Sequence, residues 1–307
     1  MNTSKPLKRL HQMTFSDWEK AFPDENSCAA YLTANRWPSG TIRCPRCGNV
    51  LVKAHGTMAF NWLCNACSPT KTNYRFSVIA GTIFENTNKP LRDWFRVIHL
   101  MLTAKKGISA LQVHRMMGFG SYKTAWYMCH RVRAGLAHED FRKLIGLVEV
   151  DETWIGGDDR NRHWDKKSHK RGGFNDPLKF AVIGAVERQG GVVARVLNKV
   201  NHGTMQSFIR EAVSSDCSLL ATDEHRAYWH LGEEYNHGAV DHSSKKYVVG
   251  AIHTNTIEGF WSLIKRGVMG SYHKVSRKYL PLYIAEFQFR YNNRLNPDIF
   301  GEAIRGC

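Results

Sequence analysis

Ile252-His253-Thr254-Asn255-Thr256-Ile257-Glu258-Gly259-Phe260-Trp261-Ser262-Leu263-Ile264-Lys265 reads as a loop entering a helix. Asn255 is placed to cap it, because its side-chain oxygen can accept from an unpaired amide of the first turn. Glu258 follows three residues later, at the capping-box position. Glu258, Ser262 and Lys265 lie at i, i+4 and i+7 and share one face. Ile257, Phe260, Trp261 and Ile264 form the apolar stripe. An acid and a base therefore point the same way from a helix anchored by aromatics. Glu258 has two readings, helix cap or catalytic carboxylate, and the rest of the chain has to decide between them.

Upstream of this stretch the chain has the texture of a mixed α/β layer. Leu147–Ile155 alternates and ends in Gly156-Gly157. Phe180–Val186 and Val192–Leu197 are two more strands, joined by the Gln189-Gly190-Gly191 turn. Residues 203–214 form a helix, and Cys217–Asp223 is a short apolar strand suited to burial on both faces. Residues 276–293 close as a helix rich in aromatics. A long polar, basic loop, 158–176, interrupts the strands, and loops of that length are functional or mobile.

Three acids stand where the chain changes state: Asp151 and Asp223 at strand ends, and Glu258 at a helix start. Repulsion among such acids is relieved by hard divalent cations, Mg²⁺ or Mn²⁺. Two ions can activate an attacking oxygen and stabilise the leaving oxygen of a phosphodiester. Glu149, Glu152 and Glu224 are rival ligands. Strand alternation puts Glu149 on the face of Asp151 and Glu152 on the opposite one, so Glu149 is the more serious rival.

The front half differs in charge. The 307-residue chain carries a formal net charge of +16. Residues 1–90 hold 11 Lys+Arg against 5 Asp+Glu, residues 91–145 hold 10 against 3, and residues 146–307 hold 22 against 19. That bias favours a polyanion, nucleic acid above all. The opening MNTSKPLKRLHQM has no apolar core, so it is not a secretory signal. No apolar run approaches the ~18 residues that span a bilayer. A cytoplasmic, nucleoid-associated protein without a membrane is the expectation.

Residues 14–37 read as helical, with Thr14 or Ser16 as cap and Trp37-Pro38-Ser39-Gly40 as the end. Cys44-Pro45-Arg46-Cys47-Gly48 and Cys64-Asn65-Ala66-Cys67 are two CxxC knuckles sixteen residues apart. Two tight turns with two sulfurs each close a tetrahedron, so one structural Zn²⁺ on Cys44, Cys47, Cys64 and Cys67 is expected, with His55 as a weaker competitor. Short β-prone runs between and after the knuckles complete a zinc ribbon. Pro90 then opens a helical region, 90–138. Ser109 caps a short helix, Gly118-Phe119-Gly120-Ser121 turns, and a basic helix follows with Lys123, Arg131 and Arg133. That is a helix-turn-helix pattern whose second helix can enter a major groove.

Taken together, Val148–Thr153 with Gly156-Gly157, Thr222-Asp223, His253–Ser262 with Lys265-Arg266-Gly267, Gly270–His273 and Glu286–Asn292 resemble the ribonuclease-H-like DDE transposases of bacterial insertion sequences. The nearest likeness is to the group with an N-terminal zinc ribbon that is related to the eukaryotic Merlin transposons. The resemblance covers nearly the whole chain: 1–89 as N-terminal helix and ribbon, 90–145 as helix-turn-helix region and 146–307 as catalytic domain. It implies metal-dependent cleavage and strand transfer at the terminal inverted repeats of the element, and insertion into target DNA. It further implies that Asp151, Asp223 and Glu258 hold two Mg²⁺ ions and that Lys265, beside Arg266, contacts the backbone near the scissile phosphate. His253 and Asn255 are lesser candidates for supporting or DNA contacts. A homodimer or larger assembly on paired ends is expected from the same likeness. The competing readings are a zinc-ribbon, helix-turn-helix regulator without catalysis, and a ribonuclease-H-like nuclease acting on another nucleic acid.

Overall fold

In a computed structural model the described residues are 14–67, 74–137, 142–157, 163–166, 179–223, 226–240 and 253–307. They form two compact units, residues 1–138 with 293–307, and residues 139–292.

The first unit opens with α1 (Phe15–Ala21) and α2 (Glu25–Arg36). The single helix expected over 14–37 is two, because Pro23 follows the first and cannot continue it. Each has its own capping box, Thr14 with Asp17 and Asp24 with Ser27. The ribbon is an antiparallel sheet in the order β1 (Val52–Ala54), β2 (Asn61–Cys64), β3 (Tyr74–Ser77). Next come α3 (Leu91–Thr103), α4 (Ala110–Met117) and α5 (Tyr122–Leu136). Ser109 and Ser121 cap α4 and α5 through side-chain oxygens. Gly118 ends α4 at φ 63°, the left-handed conformation that glycine adopts without strain. These are the expected helix-turn-helix elements. Residues 293–307, read from sequence as part of the catalytic segment, pack in this first unit. The reason is aromatic: Phe300 of α9 (Ile299–Gly306) meets the rings of Phe22, Tyr31 and Phe95 at centroid distances of 5.5, 5.7 and 5.3 Å.

The second unit is a five-stranded mixed sheet in the order β6-β5-β4-β7-β8. Its strands are β4 (Leu147–Gly156), β5 (Lys179–Glu187), β6 (Val192–Val196), β7 (Leu219–Asp223) and β8 (His237–Val240). The first three form an antiparallel meander, while β7 lies parallel to β4, and β8 parallel to β7. One face buries Val148, Val150, Ile183 and Ala185 under Met205, Phe208 and Ile209 of α6 (His202–Ala212). The other buries Val182, Val186 and Val192 under α7 (Asn255–Gly267) and α8 (Leu280–Asn292). Helices on both faces of such a sheet make the ribonuclease-H-like layer expected from sequence. The edge strand β6 is closed by side chains of α8. Val192 donates its amide to Asn292 Oδ1 at 2.7 Å, and Ala194 donates to Gln288 Oε1 at 2.9 Å. Capping the unpaired edge this way removes a template for aggregation. Most of the 158–176 loop lies outside the described residues, apart from a 3₁₀ turn at Trp164–Lys166.

Candidate active site and zinc centre

The ladder between β4 and β7 ends at Glu149 opposite Ala221. Two residues further along each strand come Asp151 and Asp223. In a parallel pair these positions face the same side, so the fold sets two carboxylates against each other where the strands stop pairing. Glu152 joins them: Asp151, Glu152 and Asp223 each offer an oxygen within 4.8 Å of the others. Strand alternation had put Glu152 on the far face. Pairing with β5 keeps it on that face, and its carboxylate meets those of Asp151 and Asp223 at the edge of β4 that no longer pairs with β7. The hydroxyl of Tyr228, a fully buried residue, donates to Glu152 Oε2 at 2.7 Å and fixes it there.

The electrostatics match the geometry. Burial raises the Asp151 carboxyl first, and the charges of Glu152 and Asp223 raise it further, to about 7, while the Glu152 amide and the Trp261 indole pull the other way. Three hard oxygen donors at this spacing suit Mg²⁺ or Mn²⁺, and a bound cation would relieve their repulsion.

Glu149 has a different task. It is fully buried. Its carboxylate accepts from the amides of Thr256 at 2.7 Å and Ile257 at 3.0 Å, and from the Thr256 hydroxyl at 2.9 Å. Arg188 Nε donates to it at 2.6 Å, and His253 Nδ1 lies 3.2 Å away. Glu149 is thus the cap of α7, supplied from the central strand, with its charge at the positive end of the helix dipole. The expected cap, Asn255, is the first helical residue. Thr254 holds the N-cap position and makes no side-chain cap bond. His253 falls beside Glu149, in a supporting position.

A second polar contact joins the same strand and helix. The indole Nε1 of buried Trp261 donates to Asp151 Oδ2 at 3.0 Å. The ring fits because Gly184, opposite Asp151 in the sheet, has no side chain. A Cβ there would stand 2.6 Å from Trp261 Cη2. Glu149 and Trp261 therefore pin α7 to β4 at two points. Glu258 lies between the pins, one turn before Trp261, exposed and accepting from the Thr254 hydroxyl at 3.3 Å. It is relieved of the capping task but stands outside the three-acid cluster. Ser262, Lys265 and Arg266 continue its exposed side, and Arg266 Nε donates to the Ser262 carbonyl at 3.1 Å.

The helix-turn-helix candidates separate by exposure. Lys123 is exposed at the start of α5. Arg131 gives both terminal guanidinium nitrogens to the Glu85 carbonyl at 3.1 Å and lies over the rings of Trp94 and Tyr127. Arg133 is 1% exposed, so its guanidinium belongs to the interior and not to a DNA-facing surface. The apolar helix face that buries it also buries Met128, Cys129 and Val132.

The four cysteines of the ribbon come together as read from sequence, with one sulfur from each within 4.8 Å of the others. Cys44 Sγ lies 3.7 Å from Cys67 Sγ, and Cys47 Sγ 3.7 Å from Cys64 Sγ. A tetrahedron with Zn–S bonds of ~2.3 Å has edges of about 3.8 Å, so the set fits zinc without rearrangement. The first knuckle is closed by Gly48 donating to the Cys44 carbonyl at 2.9 Å, with Gly48 at φ 73°. Hydrogen bonding from Cys67, then from the Asn49 amide, lowers the Cys47 thiol to about 7. His55 hydrogen-bonds locally to Thr57 and Met58 and is not in the cluster.

Comparison with known proteins agrees with both centres. Residues 23–70 match the transposase zinc-ribbon domain, and residues 143–292 match the ISXO2-like transposase domain. A protein described as uncharacterized, in the transposable element ISH50 of Halobacterium salinarum, is 28% identical over 283 residues, covering 88% of this chain and 92% of its own length. The acidic cluster lies inside the second match and the four cysteines inside the first. The chain joins a zinc-ribbon domain and an ISXO2-like domain, both of the insertion-sequence transposases.

Proposed function

We propose that the protein cuts DNA at the terminal inverted repeats of its own element and joins the freed ends to target DNA. The observation that carries this reading is the meeting of Asp151, Glu152 and Asp223 just past the last pair of the parallel β4–β7 ladder. Asp151 and Asp223 would hold two Mg²⁺ or Mn²⁺ ions, with Glu258 reaching in from the helix pinned beside them. The ions would supply the positive charge that activates the attacking oxygen and stabilises the leaving one. In cleavage, a water oxygen bonds to phosphorus and the P–O bond to the 3′ oxygen breaks, leaving a 3′-hydroxyl and a 5′-phosphate. In joining, that 3′-hydroxyl forms the new P–O bond to the target strand and displaces its 3′ oxygen. Trp261 holds the Asp151 carboxylate in one orientation, and Tyr228 does the same for Glu152. Lys265 and Arg266, exposed beyond Glu258, take the backbone near the scissile phosphate. Lys123 takes phosphates at the helix-turn-helix.

The ribbon would hold one structural Zn²⁺. Action on paired ends calls for a dimer or larger assembly. A cytoplasmic, nucleoid-associated location accords with DNA as substrate, and no helix among the described residues is long and apolar enough to cross a membrane. A regulator without catalysis has no use for three carboxylates set against one another, which is why the catalytic reading is preferred.

The test is cleavage of duplexes carrying the sequences that flank the gene, by the full-length protein with Mg²⁺ or Mn²⁺. Nicks at the repeat boundaries, absent with Asp151→Asn, are expected. Equal cleavage by that variant, or none by the intact protein with either ion, would contradict the reading. An RNA–DNA hybrid cut in preference to DNA would support the alternative nuclease.

A further inference from the structure

A cavity of about 470 Å³ opens at the end of the sheet where β4 and β6 finish and β5 begins. Trp154 and Phe180 line it with Lys179, Lys199 and Arg277, and no acid is among its described lining residues. Lys179 and Lys199 have no ion-pair or hydrogen-bond partner for their ammonium groups among the described residues, and Lys199 is exposed. Arg277 donates to Asn198 Oδ1 at 3.2 Å and lies 5.7 Å from the Phe180 ring. These cations are a local excess, because residues 146–307 carry 22 Lys+Arg against 19 Asp+Glu. Unneutralised cations beside aromatic rings in a concavity are the chemistry that takes an unpaired nucleotide, phosphate on the ammonium groups and base on a ring.

Position along the strand supports the same ligand. Trp154 lies three residues beyond Asp151 on β4, about 10 Å at strand rise. By strand alternation it shares the face of Glu152. A DNA strand that stays stacked between the cluster and the cavity advances about 3.4 Å per nucleotide, so about 10 Å is three nucleotides.

We propose that this cavity holds an unpaired nucleotide of the DNA strand engaged at the acidic cluster, about three positions from the reacting phosphate. The proposal rests on the DNA-cleaving reading above and adds a site to it. The strand is melted locally at the cavity, the base leaves its stack, and Trp154 provides the replacement surface.

Two measurements on the full chain test this. In the first, flanking-sequence duplexes carry one 5-iodo-deoxyuridine at each of the six nucleotides on either side of the cut, and photocrosslinks are mapped by peptide mass spectrometry. A crosslink to the Trp154 peptide from a nucleotide about three from the cut is expected. Crosslinks that map elsewhere at every position, with an intact protein that cleaves, overturn the proposal and leave the function standing. An intact protein that neither binds nor cleaves these duplexes sinks the functional reading instead. In the second, Lys179→Ala/Lys199→Ala and Trp154→Ala are compared for affinity to a single-stranded oligothymidylate and to a duplex of equal length. The paired lysine variant alters solvent-accessible groups, which guards against misfolding as the cause. Single-strand affinity should fall about tenfold in each, and the lysine pair should lower the salt slope by about two. Unchanged single-strand binding in both variants, or equal loss for duplex, contradicts an unpaired-nucleotide site.

Discussion

The two ligand clusters of this protein are built on opposite plans. The cysteine cluster draws four soft donors from two turns of 23–70, each turn contributing a pair through its own backbone geometry. It is closed, since four sulfurs fill a tetrahedron and leave no position for a substrate. The acidic cluster draws hard donors from β4 and β7, and it is open at the edge where the two strands stop pairing. Its members are held by neighbours that are not ligands: Trp261 on Asp151, Tyr228 on Glu152 and Glu149 at the head of α7. A site assembled from its own turns serves stability, whereas one assembled across a sheet and held by aromatics can exchange ligands and do chemistry.

The largest effect should fall on the closed site. Cys44→Ser should release the zinc and unfold the ribbon, because binding at such sites is worth about 10–16 kcal/mol and is inseparable from folding. Metal content by mass spectrometry and limited proteolysis check this. The fragment 139–292 should stay protected while the ribbon is digested, and an undiminished zinc content would break the comparison.

At the open site the non-ligand Glu149 should matter most for stability. Glu149→Ala leaves the Arg188 guanidinium beside an emptied, buried place and uncaps α7, with an expected loss of about 3–5 kcal/mol in denaturant unfolding. Asp151→Asn and Asp223→Asn should do the reverse, leaving the fold intact while cleavage falls about a thousandfold, roughly 4 kcal/mol of barrier. Glu152→Gln and Glu258→Gln sharpen the assignment, since only a true ligand should lose both cleavage and Mn²⁺ affinity. Trp261→Phe removes the donor and the part of the indole that lies against Gly184, so Mn²⁺ affinity should drop roughly tenfold and the melting temperature should fall by a few degrees.

Proton and cation should compete at the acids. The folded-state carboxyl of Asp151, near 7, stands above its ordinary 3.8. Its contribution to stability is therefore complete below about pH 4 and is lost as pH rises through 7. Mg²⁺ or Mn²⁺ should raise the melting temperature more at pH 8 than at pH 5. The same rise at both would mean that the cation binds elsewhere. The smallest effect is expected for Lys265→Ala, which should lower the salt slope of DNA binding by about one and leave Mn²⁺ affinity alone.

Much of this was readable in the residues. The CxxC spacing located the whole zinc centre, because each knuckle is a local turn. Asp223 ends a buried strand as its sequence implies, whereas Asp151, read as a strand end, lies in the middle of β4, where only the ladder to β7 has ended. Strand alternation places Glu152 correctly on the face of Ile183 and Tyr228, opposite Asp151, but it does not show that carboxylates from the two faces can meet once the β4–β7 ladder has ended. Glu149 passed as a rival ligand, and Asn255 as the cap, because a cap supplied by a side chain 107 residues away leaves no local pattern. The helical spacing of Arg131 and Arg133 said nothing of burial, and Trp94 and the Glu85 carbonyl claim the first of them. The adjacent Asp-Glu pair at 151 and 152 was a usable signal, as two acids in succession on a central strand demand compensation on both faces.

Mn²⁺ titration of the zinc-loaded intact chain at pH 8, followed by electron paramagnetic resonance, tests the central claim most directly. The intact protein should bind Mn²⁺, and Asp223→Asn should lose affinity by about tenfold or more with its zinc retained. Equal Mn²⁺ affinity in the two proteins would contradict a cation site at the meeting of β4 and β7.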